Sequence, residues 1–453
     1  MEYLNLIILL SRYIFAGFGI IIICVMMSFL KNNNSISANM ARQKIGFLYS
    51  CIAFFHLAGV SILVGKAKDN LIRKEIFVYG IIVFLCFTVV LFLLRIWKRS
   101  SQQILWFAMF FLFDVGYIML ERLNHTLAVK QVIWFVISIS IALIFPFIFT
   151  HFIQPKYKYI YLGLTIVVVI LPFVAGSTQL GATNWVKIGP IGFQPSEIGK
   201  ITALLYLASL LYNFNETIDQ KKLILYASAP IFFTLGCFAI QRDLGAALLY
   251  YLTFLVILFI ATKNFWLPIV GIGVGGIGAL LGYVLFDHVK IRFEAWLDPW
   301  QDVAGNGYQV IQGLFAIGTW GWFGSGLTRG MPNTIPIVTT DYIFAAICEE
   351  FGNIMGIILL LCYFFIILWI VNETLKQQNQ FYMLISIGIA AILTIQAFII
   401  IGGVLKIIPL TGITLPFVSY GGTSILVSIT MIGLISFFSY QSDKLEKEVA
   451  TDE

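Results

Sequence analysis

The chain has 453 residues, 60% of them hydrophobic and 11% charged, with a formal net charge of +6 and a mean hydropathy of +0.94. Soluble globular chains are about 45–50% apolar and about 25% charged, so the surplus of apolar residues excludes a fold that lives in water alone. Six cysteines within apolar stretches, with no CxxC pair, and four scattered histidines point away from a disulfide framework or a structural metal cluster. The positive charge of such a chain reflects topology rather than a nucleic-acid partner.

Crossing the hydrocarbon layer takes roughly 20 mostly apolar residues per helix, because backbone groups in lipid must be satisfied within the segment. The apolar runs lack the alternating polarity of a transmembrane β-barrel. Helices are predicted near 6–30, 46–65, 76–97, 104–120, 131–153, 158–177, 197–213, 224–240, 243–261, 265–286, 341–371, 383–404 and 415–440. The expected fold is therefore all-α, a polytopic transmembrane helical bundle with one large loop at 287–340. The first run, Leu6–Leu30, is long enough to span and has no small-residue cleavage site, so it is read as a span. No repeat of 20–50 residues and no similarity between halves is visible.

Orientation follows from basic residues in short loops. Arg95, Lys98 and Arg99, then Lys156 and Lys158, Lys221 and Lys222, Lys263, Lys376, and Lys444 and Lys447 alternate along the chain. Placing them in the cytoplasm puts loops 177–196, 287–340 and 405–414 outside, the C-terminus inside and the N-terminus outside. Loop 66–75 resists the rule: it carries Lys66, Lys68, Arg73 and Lys74, yet the count puts it outside.

Four polar stretches carry the chemistry. The first runs from Gly181-Ala-Thr-Asn-Trp185 to Phe193-Gln-Pro-Ser-Glu197-Ile-Gly-Lys200. Pro195 and Ser196 suit a helix start, and Glu197 and Lys200, three apart, share a helix face and can pair. Capping with an internal ion pair is one reading; a functional role at membrane depth is the other. The second, Gln241-Arg-Asp-Leu-Gly245, is an abrupt polar break holding Arg242 and Asp243. The third, Arg292 to Gln309, gathers Glu294, Asp298 and Asp302 among Trp296, Trp300, Tyr308 and glycines. Glycines let a ligand approach the backbone, and carboxylates act as bases toward hydroxyls; an aromatic interfacial loop is the bland alternative. The fourth, Pro409 to Ser424, combines two prolines with Ser419, Tyr420 and a Gly-Gly pair, where local unwinding could expose backbone donors to a phosphate. Close helix packing explains it equally well.

Together these stretches resemble the SEDS family, the RodA/FtsW/SpoVE group of cell-wall glycosyltransferases. The resemblance spans roughly residues 100–440 in order. It is strongest at Phe193–Glu197, at Asp298-Pro-Trp-Gln-Asp302-Val-Ala-Gly-Asn-Gly-Tyr308-Gln309, at Thr340–Ala345 with Glu349 and Glu350, and at Leu415–Ser424. It implies a ten-helix core at about 104–440 that polymerises lipid II, a lipid-linked disaccharide-peptide, usually with a class B penicillin-binding transpeptidase. It also implies that Asp302 is the essential carboxylate, with Asp298 its near neighbour. The chain departs from the family pattern in three places. Arg242 replaces a proline, Ile335-Pro336-Ile337 lacks a glutamate, and residues 1–100 add about three helices. The implied division is 1–100 extra helices, 101–440 core with the outer loop 287–340, and 441–453 a cytoplasmic tail.

On this reading Asp302 takes the proton of a sugar 4-hydroxyl, and the lipid diphosphate leaves without a strong general acid. Burial against Trp296, Trp300 and Tyr308 is expected to raise the Asp302 pKa from about 3.9. Arg292, Lys200, Arg242 and Lys406 are the cations for diphosphate. Asp298, Trp300, Tyr308, Glu197, Asp243, Ser419 and Tyr420 are the remaining substrate contacts. A divalent cation, magnesium or manganese, could assist, although the sequence shows no dedicated ligand set. Two alternatives stay open: a lipid II flippase using Glu197, Lys200, Asp114 and Glu350, or a non-catalytic scaffold for a transpeptidase.

Overall fold

A computed structural model describes residues 2–31, 38–96, 102–179, 182–189, 191–214 and 219–452. Gly181, Lys98 and Arg99, singled out above, lie outside the described residues. The helices are α1 (Glu2–Lys31), α2 (Ala38–Lys66), α3 (Asn70–Ile96), α4 (Gln103–Leu123), α5 (His125–Phe149), α6 (Lys158–Ala175), α7 (Pro195–Leu211), α8 (Gln220–Ile240), α9 (Leu244–Thr262), α10 (Trp266–Leu285), α11 (Asp287–Leu297), α12 (Tyr308–Thr319), α13 (Ile343–Phe351), α14 (Asn353–Thr374), α15 (Gln380–Val404) and α16 (Gly422–Asp452). Twelve of these are long and apolar enough to cross a membrane. The protein is a multi-pass membrane protein with a helical fold.

Four elements differ from the expected ones. Segment 177–196, expected to be a loop, forms an antiparallel sheet of β1 (Gly176–Gln179), β2 (Ala182–Ile188) and β3 (Ile191–Phe193), paired in the order β1-β2-β3. The helix expected over 341–371 is two helices. Gly352, at φ 91°, separates α13 from α14, and a Cβ there would lie 2.2 Å from the Trp322 carbonyl oxygen. Loop 287–340 contains α11 and α12, and the last span begins at Gly422 rather than near 415.

The chain divides into two compact units. The first comprises 1–139, 292–369 and 399–422. In it α4 is buried from Gln103 to Glu121, as a helix apolar all round its circumference should be. The N-terminal helices pack into this unit rather than standing apart from it. Phe15 of α1 meets Phe55 of α2 and Phe351 of α13 edge-on at 5.0 and 5.1 Å, and Phe55 meets Phe111 of α4 at 5.4 Å. Gly116 on α4 lets the Val418 backbone approach to where a Cβ would stand 2.5 Å from its carbonyl oxygen.

Contacts at helix ends show which ends share a side of this unit. The Lys66 ammonium donates to Asn5 (3.0 Å), His125 meets Glu75 (2.7 Å), and the Arg122 guanidinium donates to the Gly330 carbonyl (3.2 Å). Arg12 donates to the Gly324 carbonyl at 3.3 Å. The start of α1, the basic loop 66–75, the α4–α5 turn and segment 324–330 thus lie together.

The second unit comprises 140–291, 370–398 and 423–453. Its core includes Val169, Ala203, Phe238, Ala246 and Tyr250. Asp219 caps α8 by accepting from the Lys222 amide at 3.2 Å, and Pro195 sits at the start of α7, where its missing N–H costs nothing.

Candidate active site

In the first unit, the third and fourth polar stretches meet. Arg292 on α11 donates to the Thr411 carbonyl at 2.9 Å, and Trp296, one turn on, donates to the Lys406 carbonyl at 3.1 Å. Lys406, held at φ 59°, returns its ammonium to the Leu297 carbonyl at 3.4 Å. The segment 409–421 is non-helical, and its backbone groups are satisfied from outside. The Ser419 hydroxyl donates to the Thr340 carbonyl (2.6 Å) and accepts from the Leu415 amide (3.0 Å), and the Tyr420 amide donates to the Thr339 carbonyl (2.9 Å). Gln131 of α5 donates to the Ser419 carbonyl (3.1 Å) and accepts from the Gly421 amide (3.2 Å). The unwinding expected at this helix entry is present, with its polar groups held inside the protein as membrane depth demands.

Asp341 joins this cluster, a residue sequence reasoning quoted but gave no role. A Cβ on Gly412 would stand 3.6 Å from both the Arg292 guanidinium and the Asp341 carboxylate, so the two side chains converge there. Gly412 takes φ 78°, open to glycine and strained for other residues. Burial pushes the Asp341 carboxyl up to about 6, against the opposing pull of the Thr340 hydrogen bond and of Arg292.

The turn between α11 and α12 carries Asp298 and Asp302. Asp298 caps it by accepting from the Trp300 amide at 3.2 Å. Asp302 accepts from the Asn306 amide at 2.8 Å, which fixes the carboxylate by a single-turn contact. Two glycines permit this fold. A Cβ on Gly305 would meet an Asp302 carboxylate oxygen at 2.3 Å, and one on Gly307 the Pro299 carbonyl oxygen at 1.9 Å. Tyr308 then opens α12, and Gln309 donates to the Pro336 carbonyl at 3.0 Å. Trp300 is exposed and edge-on to Phe315 at 6.1 Å. The expected burial of Asp302 against Trp296, Trp300 and Tyr308 is not what the structure has. Asp302 is exposed, its carboxylate held on the Asn306 amide, and Trp296 is spent on the Lys406 carbonyl.

In the second unit, Glu197 and Lys200 are both buried and paired at 2.7 Å, the partnership their spacing predicts. Lys200 also donates to Gln396 of α15 at 2.9 Å. Arg242 and Asp243 do not act as a pair. Arg242 is exposed at the α8–α9 turn, while Asp243 is buried and accepts from Asn184 (2.7 Å), Gln194 (3.0 Å) and the Ala246 amide (3.0 Å). The anion thus ties β2 and the residue before α7 to the start of α9. Arg242 takes φ 62°; proline, fixed near −65°, cannot adopt this backbone, so the replacement at 242 goes with a differently built turn.

The structure brings Arg292, Lys406, Ser419 and Tyr420 together with Asp341 and places Asp298, Asp302, Trp300 and Tyr308 on the adjoining turn. Glu197, Lys200, Arg242 and Asp243 belong to the other unit. Among the described residues, no group of three or more His, Cys, Asp or Glu side chains is arranged to hold a metal ion.

The FtsW/RodA/SpoVE family model, described as a cell cycle protein, matches residues 116–444. The peptidoglycan glycosyltransferase RodA of Mycobacterium tuberculosis is 30% identical over 426 residues, covering 88% of this chain and 91% of its own. That match leaves about an eighth of this chain outside, so it takes in part of residues 1–100. Stage V sporulation protein E of Bacillus subtilis is 34% identical over 275 residues, covering 60% of this chain and 74% of its own. A solved chain from a peptidoglycan synthase complex that coordinates polymerization and crosslinking superposes with a TM-score of 0.64 at 26% identity, covering 75% of this chain and 97% of that one. With the motifs at 298–309 and 415–424 lying inside the matched region, the chain belongs to the FtsW/RodA/SpoVE family.

Proposed function

We propose that this protein is a peptidoglycan glycosyltransferase that polymerises lipid II outside the cytoplasmic membrane, with Asp302 as the base. The carrying observation is the placement of the carboxylate: exposed, and fixed by the Asn306 amide on a turn that tolerates only glycine at 305 and 307. There a sugar hydroxyl can reach it.

Asp302 accepts the proton of the acceptor 4-hydroxyl as that oxygen attacks the anomeric carbon of the donor sugar. The bond from this carbon to the lipid diphosphate breaks, and one displacement inverts the configuration. Diphosphate is a good leaving group, so the protein's remaining task is to hold its charge. Arg292 and Lys406 are the cations adjoining the 409–421 segment. Lys200 is already neutralised by Glu197, which favours a structural role for that pair. A divalent cation would enter with the diphosphate. A class B penicillin-binding transpeptidase is the proposed partner, as the family resemblance implies, and the C-terminus is proposed to be cytoplasmic.

A flippase needs polar groups available to a passing headgroup. Asp114 is paired with His56, Glu350 with Arg122 and Glu197 with Lys200, so the side chains that reading would use are committed to partners.

The test supplies the purified full chain with labelled lipid II, with and without a co-expressed transpeptidase, and resolves the products. A glycan ladder is expected, and Arg292→Glu should weaken substrate use more than protein yield. Consumption of no lipid II under either condition would overturn the reading.

A further inference from the structure

The basic loop 66–75 breaks the topology rule and has no part in the proposed chemistry. Its Lys66, Lys68, Arg73 and Lys74 side chains are all exposed. Lys66 donates to Asn5, and Arg73 donates to the Ala67 carbonyl at 2.9 Å. Asp69 is occupied in capping the Leu71 amide at 2.9 Å, and Glu75 is drawn to His125. Among the described residues, Lys68 and Lys74 have no acidic partner within ion-pair distance. The loop therefore presents uncompensated positive charge at one end of α2 and α3.

Directly below this end lies a cavity of about 310 Å³ between the same two helices. It is lined from α2 by His56, Leu57, Val60, Ser61, Val64 and Gly65, and from α3 by Phe77, Gly80, Ile81 and Phe84. At 1.5 Å per residue the α2 wall runs roughly 13 Å along the helix. Both ring nitrogens of His56 are committed, to Asp114 at 2.5 Å and to the Gly80 carbonyl at 3.0 Å, so apart from the Ser61 hydroxyl the lining is apolar. Gly65 adjoins Lys66, and Phe77 stands one turn from Arg73 and Lys74. An apolar slot that runs on, through Gly65, into a loop of lysines suits a hydrocarbon chain bearing a phosphate.

We propose that the α2–α3 groove binds an anionic phospholipid, its acyl chain in the slot and its phosphodiester on Lys68 and Lys74. The surrounding bilayer presents this ligand at high local concentration, so mass action favours it over a scarce lipid of the same chemistry. Anionic headgroups draw lysines and arginines beside a membrane, as the uncompensated charge of this loop would require.

Native mass spectrometry of the detergent-purified full chain tests this. It is titrated with phosphatidylglycerol, phosphatidylcholine of the same acyl chains, and undecaprenyl phosphate. Phosphatidylglycerol should bind preferentially. Lys68→Glu with Lys74→Glu should weaken it on the order of ten-fold or more. Ser61→Trp, an exposed position that fills the slot without touching the loop, should weaken it as well. Should the charge-reversed protein fail to fold, Lys68→Gln with Lys74→Gln should show a smaller loss in the same direction. Equal binding of phosphatidylcholine, or unchanged binding in Ser61→Trp, contradicts the proposal. Displacement of phosphatidylglycerol by undecaprenyl phosphate at equal concentration would reassign the site to a polyprenyl lipid, and absence of any lipid adduct would leave it to a protein helix; both overturn it.

Discussion

Asp341 ionises with difficulty because the fold half-buries it, and the consequence for stability has a definite sign. Its ordinary pKa of 3.8 is raised to about 6, burial outweighing Thr340 and Arg292. Below pH 4 the carboxyl is protonated whether the chain is folded or not and contributes nothing. Between about 4 and 6 only the unfolded chain ionises freely, so stability falls as pH rises; above 6 the penalty is complete. Asp341→Asn should therefore melt higher than the wild type at pH 8, by about 1–2 kcal/mol once its partial exposure is allowed for, and equally at pH 4. Thermal melts at the two pH values check this. Gly307 makes the second prediction at this scale. A methyl there collides with the Pro299 carbonyl, so Gly307→Ala should displace Asp302 and lower lipid II polymerisation on the order of a hundred-fold, with membrane insertion retained. Some of this was legible in sequence. The Glu197–Lys200 pair follows from a three-residue spacing on one helix. The environment of Asp341 is made by residues 292 and 412, too far away in the chain for local reasoning, and the exposure of Asp302 depends on how the turn 299–307 closes.

The short helix α13 is an anchor for the segment before it. Glu350 is fully buried and accepts from Arg122 (3.1 Å), the Thr328 amide (2.9 Å) and the Gly330 amide (3.2 Å), while Glu349 accepts from the Met331 amide at 2.6 Å. Burial pushes Glu350 up to about 7, so near neutrality a protonated side chain is already within reach. Glu350→Gln should thus cost about 1 kcal/mol, whereas Glu350→Ala strands Arg122 and two amides and should cost about 3 kcal/mol or more. Limited proteolysis should find 324–331 cut faster in the alanine variant only. At this scale, length and hydropathy located the spans because lipid allows little else. They missed the break at Gly352, since a glycine inside an apolar run does not announce a positive φ. They missed the sheet at 176–193 because its strands are short and its register rests on contacts such as the Gln241 carbonyl accepting from the Thr183 amide at 3.1 Å.

Across the first unit, helix ends meet one another through Lys66 and Asn5, Glu75 and His125, and Arg122 and Gly330. Single cysteines at Lys68 and Gln301, in a background lacking native cysteines, should both react with a membrane-impermeant maleimide added to intact spheroplasts; labelling of Gln301→Cys only after lysis would reverse the orientation proposed here. The family was legible from four motifs in order, whereas the partition of their residues between two units was not, because it depends on long-range packing that no motif encodes. The most direct measurement remains chemical. Purified, folded Asp302→Asn and Asp298→Asn are each supplied with lipid II, and the glycan products are resolved by length. No ladder is expected from Asp302→Asn and a retained, weaker one from Asp298→Asn; a wild-type ladder from Asp302→Asn would rule Asp302 out as the base.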